Sequence, residues 1–372
     1  MSPSTFLSPL KMRKLLLPFS WLYGAGVFLH NKLFDLQIKK SVEFELPVIS
    51  VGNLSTGGTG KTPHVEYIVK LLSEKYHVGV LSRGYRRKTS GYFLVEENSA
   101  AEETGDEPLQ IKRKFPQATV AVCEERAIGI PIMLLDDPQL EVIVLDDAFQ
   151  HRRVKPGLSI LLTDYAKPFT KDFLLPSGNL REPKQNASRA DVIVVTKCPG
   201  EVSSEEKALM SNEMTQRNDQ EVFFSFLKYA DAYNLFEPEK KTPLDKIDSA
   251  LIITGIASPD SLLSYLRSKI KNVHHLKFSD HHSFTQHDLK IIAEGFQKIS
   301  RASVVGGQTP TTAILTTEKD GVRLLPFRNF LVSQQLEITC IPVEVQFSAT
   351  EKEKFDSLVG DFANKKLAER IS

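Results

Sequence analysis

"SVGNLSTGGTGKTPHVEYIVKLL", residues 50–72, sets four glycines, a lysine and a threonine between two apolar stretches. "PVISV" (47–51) leads into the glycines, and behind them Val65, Ile68, Val69 and Leu72 fall on one helical face. Strand, glycine turn and helix is the order in which backbone N–H groups converge on an anion. Gly57, Gly58 and Gly60 let the chain wrap a phosphate, with Thr59 and Pro63 completing the loop, and the helix adds its positive end. Lys61 can reach terminal phosphates, and the Thr62 hydroxyl suits Mg2+. Ser55 departs from the usual pattern, which has glycine five residues before Gly60. A mere glycine-rich turn is the plain alternative; the flanking strand and helix favour a nucleotide.

Further apolar runs follow at "VGVLS" (78–82), "ATVAV" (118–122), "EVIVLDD" (141–147), "LSILLTD" (158–164) and "ADVIVV" (190–195). Continuous apolar strands suit burial on both faces, and their alternation with helical segments predicts a doubly wound, mostly parallel sheet. Residues 221–246 read as a strand running into a polar connector. A second α/β unit begins at "ALIITGIASPDSLLSYLRSK", where Ser258 and Pro259 are expected as N-cap and first-turn proline. "AILTT" and "EITCIPVEVQF" are its later strands, and "TEKEKFDSLVGDFANKK" its closing helix. The division expected is an N-terminal helix at 1–40, a phosphate-loop core at 41–235 and a smaller α/β domain at 236–372.

With 372 residues, 41% apolar and 25% charged, the chain is long enough for two such domains. A net charge of +1 gives no global pull toward nucleic acid. Cys123, Cys198 and Cys340 lie far apart with no CxxC spacing, as expected of core thiols in a reducing compartment. The N-terminus departs from the average. Lys11, Arg13 and Lys14 precede an uncharged, mostly apolar run from Leu15 to Leu29, with no small-residue cleavage site after it. The run falls short of the roughly 20 residues a spanning helix needs. Trp21, Tyr23 and the flanking cations predict a helix lying in a bilayer interface or entering one leaflet, the alternative being a helix packed on the protein's own core.

"EVIVLDDAFQH" puts Asp146 and Asp147 at the end of an apolar strand, where carboxylates opposite a phosphate loop can hold Mg2+. A guanine switch is disfavoured. "VVTKCP" has proline where NKxD has its aspartate, and Phe149 and Gln150 stand where DxxG needs glycine. Among the arginines of "SRGYRRK" and "QHRR", Arg83 is favoured as a phosphate-binding group, and the rest read equally as solvated charge.

"VGNLSTGGTGKTP", "LSRGY", "TGDEP", "LDDAFQHRR", "LPSGNLREP", "VVTKCP", "SDHHSFT" and "TTEKDGVRL" occur in this order. Together they resemble the tetraacyldisaccharide 4'-kinases, the lipid A 4'-kinases of Gram-negative bacteria, from the N-terminal helix to at least residue 324. Ala148 stands where the family's "DDGFQH" often has glycine, and "PSGNLREP" replaces the commoner "PAGPLREP"; neither change removes a charged group.

The resemblance implies a P-loop NTPase-like α/β fold with a second, smaller α/β domain and an N-terminal membrane-associated helix. It implies transfer of the ATP γ-phosphoryl group to the 4'-hydroxyl of an acylated glucosamine disaccharide 1-phosphate, at the cytoplasmic face of the inner membrane. Site residues carry over one by one. Lys61 and Thr62 would serve the phosphates and Mg2+, with Asp146 and Asp147 as metal-side carboxylates and Gln150 and Glu182 as helpers. Asp106 of "TGDEP" would be the general base, His281 its partner, and Arg83 and Arg181 substrate contacts. No nucleic acid and no protein partner is implied. The competing reading is a membrane-associated P-loop ATPase of the partitioning or targeting kind, which needs no acceptor base. A nucleotide-binding scaffold without turnover fits less well, because Lys61, Thr62 and both aspartates are all present.

Overall fold

The computed structural model describes residues 13, 15–302 and 311–371; Lys11 and Lys14 lie outside the described residues. In chain order the strands are β1 Val48–Asn53, β2 Val78–Ser82, β3 Phe93–Val95, β4 Thr119–Val122, β5 Val142–Asp146, β6 Leu158–Asp164, β7 Val192–Thr196 and β8 Glu221–Tyr229. They continue as β9 Tyr233–Asn234, β10 Glu237–Lys241, β11 Ser249–Thr254, β12 Asn272–Lys277, β13 Thr312–Thr317, β14 Ile338–Ile341 and β15 Val343–Phe347.

The larger sheet has nine strands in the order β15-β8-β7-β6-β1-β5-β2-β4-β3. Every pairing from β8 across to β4 is parallel, and only the edges, β15 on β8 and β3 on β4, are antiparallel. Both faces are covered, as the apolar runs require. Val142 and Val144 of β5 join one core, with the helices Lys61–Leu72, Asp106–Lys114 and Ala349–Ile371. Ile143 and Leu145 join the opposite core, under the helix Arg126–Asp136. Val65, Ile68, Val69 and Leu72, placed on one helical face by their spacing, are all buried. Strand order reverses at β1, so a crevice opens at the carboxyl ends of β1 and its neighbours.

The smaller sheet is mixed, in the order β10-β9-β14-β13-β11-β12, with β9 and β10 antiparallel. Its core is closed by the helices Asp260–Lys269 and Gln286–Ala302. Two local expectations are corrected. The helix begins at Asp260 with Pro259 at its cap and no side-chain cap bond, so Ser258 is not the N-cap. "EITCIPVEVQF" is two strands in different sheets, because Pro342 cannot donate to a ladder and the chain turns there. The chain therefore crosses to the smaller sheet after β8 and returns to the larger with β15 and the helix Ala349–Ile371, so the helix expected to close the smaller unit packs on the larger one instead. A buried ion cluster joins the two units: Lys114 Nζ lies 2.7 Å from Glu66 and 3.1 Å from Glu318. All three cysteines are buried and free.

The N-terminal helix, Leu17–Asp35, docks by its small and polar face. Ser20 Oγ donates to the Leu174 carbonyl at 2.9 Å, Leu174 packs against Gly24, and Asn31 is buried. Most of its large apolar side chains point outward, Trp21 and Leu22 both at 74% exposure, while Phe34 near its end is buried. Among the described residues, no helix is long and apolar enough to cross a membrane.

Candidate active site

The glycine loop joins β1 to the helix Lys61–Leu72, as its sequence demands. Gly57 and Gly60 have φ of 109° and 80°, a region that a Cβ disfavours. Side-chain bonds hold the end of the loop. Asn53 Nδ2 donates to Thr59 Oγ1 at 2.8 Å, Thr196 Oγ1 donates to the Thr59 carbonyl at 2.9 Å, and Lys197 Nζ reaches the Gly58 carbonyl. Lys197 belongs to "VVTKCP", so that segment clamps the loop by its lysine. Ser55 forms an isolated antiparallel bridge with Leu180.

Register sets Val51 of β1 beside Asp146, the last residue of β5. Asp147 follows with φ 47°, in the left-handed region that aspartate tolerates. Lys61 Nζ lies 3.7 Å from Asp147, and Arg181 bonds the same carboxylate at 2.9 Å. Burial would raise the Asp147 pKa, but Lys61 and Arg181 outweigh it and hold the group below its usual range. Asp146 differs: burial, reinforced by the Asp147 charge, pushes it up to about 6. Ser82 Oγ donates to its Oδ2 at 3.1 Å, while among the described residues the buried Oδ1 has no partner. A buried carboxylate oxygen left unpaired is costly, and its chemistry suits a cation ligand. No cluster of three or more His, Cys, Asp or Glu suited to a metal exists among the described residues. That is compatible with Mg2+, which takes one or two carboxylates and completes its shell with phosphates and water.

Gln150 Nε2 donates to the Asn53 carbonyl at 2.8 Å, and its buried Oε1 has no partner among the described residues. Glu182 is engaged: its Oε2 accepts from Arg189 at 2.7 Å, Asn186 at 2.5 Å and Asn31 at 3.3 Å. A cleft of about 570 Å³ runs from these groups to the N-terminal helix. Leu22, Tyr23 and Val27 line one side, and Arg83, Asp147 and Arg181 line the other.

Asp106 opens the helix Asp106–Lys114, directly after Gly105 at φ 91°, which packs against Gly84 beyond β2. His281 Nδ1 lies 3.2 Å from Asp106 Oδ2, across 175 residues of sequence. The same oxygen accepts from Arg323 Nε at 2.9 Å and Nη2 at 2.5 Å. Lys319 Nζ lies 3.2 Å from the other ring nitrogen of His281 and 2.6 Å from Glu107. His282 bonds Asp288 at 3.0 Å instead, which separates the two adjacent histidines.

A profile of the family described as LpxK, Tetraacyldisaccharide-1-P 4'-kinase, matches residues 12–362. A tetraacyldisaccharide 4'-kinase of Phocaeicola vulgatus is 42% identical over 363 residues, covering 96% of this chain and 96% of that protein. The chain belongs to the tetraacyldisaccharide 4'-kinase family. The kinase of Flavobacterium johnsoniae is also 42% identical, covering 96% of this chain and 98% of its own length. The crystal structure of LpxK from Aquifex aeolicus in complex with ATP is similar at TM-score 0.71 and 29% identity, covering 94% of this chain and 99% of that one.

Within this kinase fold the arginines separate. Arg87 pairs with Glu124, Arg152 with Asp35 and Arg153 with Glu125, whereas Arg83 lines the cleft. Sequence reasoning missed three groups. Asn53 ties loop, Gln150 and Arg181 together; its signal was a polar residue ending a wholly buried strand. Arg126, 1% exposed, donates to the Asp146 carbonyl at 3.1 Å, and burial lowers its pKa to about 10. Nothing local marked Arg323, whose partner lies 217 residues away.

Proposed function

We propose that this protein uses ATP to phosphorylate the 4'-hydroxyl of a tetraacyl glucosamine disaccharide 1-phosphate in lipid A biosynthesis. Its activity is that of a tetraacyldisaccharide 4'-kinase. One observation favours a kinase over an ATPase switch. Asp106 and His281 come from different units and meet at 3.2 Å, next to Gly105 packed on Gly84 beyond β2, and hydrolysis alone needs no such pair.

Gly57, Gly58, Thr59, Gly60, Lys61, Thr62 and Pro63 form the phosphate cradle in this reading. Thr62, Asp146, Asp147 and Gln150 stand on the metal side, with Glu182 behind them. Those residues would hold Mg2+, which when bound would supply positive charge against the phosphate oxygens. Asp106 orients the acceptor hydroxyl and takes its proton as the new O–P bond forms and the bond to the β-phosphate oxygen breaks. Lys61 stabilises the departing oxygen. Arg83 and Arg181 bind anionic oxygens of the acceptor in the cleft, and the apolar side of that cleft suits acyl chains. Trp21, Leu22, Phe19 and Leu29, exposed on the N-terminal helix, support a protein seated on the cytoplasmic face of the inner membrane. The domain reading is this helix, a phosphate-loop core and a smaller α/β unit. The test is direct: incubate protein with ATP, Mg2+ and the lipid disaccharide 1-phosphate, and weigh the product. One added phosphate supports the reading; hydrolysis of ATP with unchanged lipid refutes it.

A further inference from the structure

Three donors converge on one oxygen of Asp106. Arg323 gives two, Nε at 2.9 Å and Nη2 at 2.5 Å, and His281 Nδ1 approaches at 3.2 Å, all to Oδ2. A guanidinium with both hydrogens on one carboxylate oxygen fixes the rotation of the carboxyl group and leaves Oδ1 for a different partner. Arg323 is itself held. Its Nη1 donates to Asp320 at 2.8 Å and to the Gly255 carbonyl at 3.1 Å, and the side chain is nearly buried. Lys319 acts on the histidine. An ammonium has only donors, so at 3.2 Å it favours a His281 whose Nε2 accepts and whose Nδ1 carries the hydrogen; Arg323 Nη2, 3.3 Å from Nδ1, lies there because both donate to Asp106 Oδ2. Glu107, at 2.6 Å, holds Lys319 in place.

We infer that Arg323 and Lys319, one turn apart on the helix Glu318–Leu324 of the smaller unit, are positioning residues for phosphoryl transfer. Arg323 aims Asp106 Oδ1 at the acceptor hydroxyl, and Lys319 selects the His281 tautomer that supports it. This rests on Asp106 being the base. It adds that the base is aligned only while the smaller unit is docked on the larger.

Misplacing a reacting group by about 1 Å costs up to ~10²-fold in rate. Arg323→Gln is therefore expected to lower kcat toward that limit with KM for ATP unchanged, and Arg323→Lys to recover part of the loss. Combined with Asp106→Asn, Arg323→Gln should cost little more than Asp106→Asn alone, because both act through the same carboxyl group. The 15N shifts of His281 should report hydrogen on Nδ1 in the parent and a changed tautomer population in Lys319→Met. That variant leaves Asp320 its partner, so it serves even where Arg323→Gln does not fold. If Asp106→Asn turns over at the parent rate, the base reading falls. If Asp106→Asn is slow but Arg323→Gln, folded by its thermal midpoint, keeps the parent kcat, only the positioning inference falls. A hydrogen on Nε2 in the parent overturns the Lys319 part.

Discussion

The phosphate loop and the Asp106 cluster sit at the same end of the large sheet, yet they are assembled in opposite ways. The loop is contiguous, and its aspartates reach it because β5 pairs with β1 in register. The cluster takes Asp106 from one unit and His281, Lys319 and Arg323 from the other, over separations of 175 and 217 residues. In the proposed mechanism phosphate binding is thus a property of one sheet, whereas alignment of Asp106 as the base is a property of the contact between two. Damage to the first region should abolish turnover; damage to the second should scale it while nucleotide binding survives.

Lys61→Ala should give the largest effect, loss of phosphoryl transfer, because charge building on the phosphates loses its cation. Near-parent turnover in a steady-state assay would remove the loop from the mechanism. Asp147→Ala should come next, raising the Mg2+ concentration needed for half-maximal rate; an identical metal titration would return the aspartate to a structural role. On the membrane side, Trp21→Asp with Leu29→Asp exchanges two exposed apolar groups for charges without touching the docked face of the helix. Each buried apolar side chain contributes ~1.5–3 kcal/mol, so the pair should weaken vesicle binding by at least ~10²-fold. Unchanged flotation with vesicles would contradict the interfacial helix.

The smallest effect concerns the buried contact between the units. Burial, with Glu318 adding to it against Lys114, pushes the Glu66 pKa up to about 7 from 4.5. An acid with its folded pKa raised holds its proton more tightly when folded, so stability falls as pH rises from about 4.5 to about 7 and then levels. Glu66→Gln should flatten that part of the slope in thermal melts taken at successive pH values. Parallel slopes in parent and variant would mean that Lys114 fully compensates the buried charge.

Legibility followed the same division. β2 and β6 have the ends their apolar runs suggested, because a strand buried on both faces leaves a continuous signal. The loop was legible because its chemistry is local. Pro342 was visible, but not that the chain changes sheets there, since the pairing of β15 with β8 depends on partners more than a hundred residues away. Arg323 lay inside a recognised stretch, yet its role depends on Asp106, which no periodicity connects to it. The exposed Trp21 and Leu22 were legible as apolar, but their outward direction follows from Ser20 and Gly24 taking the docked face.

The measurement closest to the central claim is the rate of phosphate transfer to the lipid disaccharide 1-phosphate by parent and Asp106→Asn, with ATP binding followed separately. A positioned general base is worth ~10²–10⁴-fold. A loss of that order in kcat is expected, with ATP affinity retained and a product one phosphate heavier from the parent alone at early times. Equal transfer rates from the two proteins would contradict it.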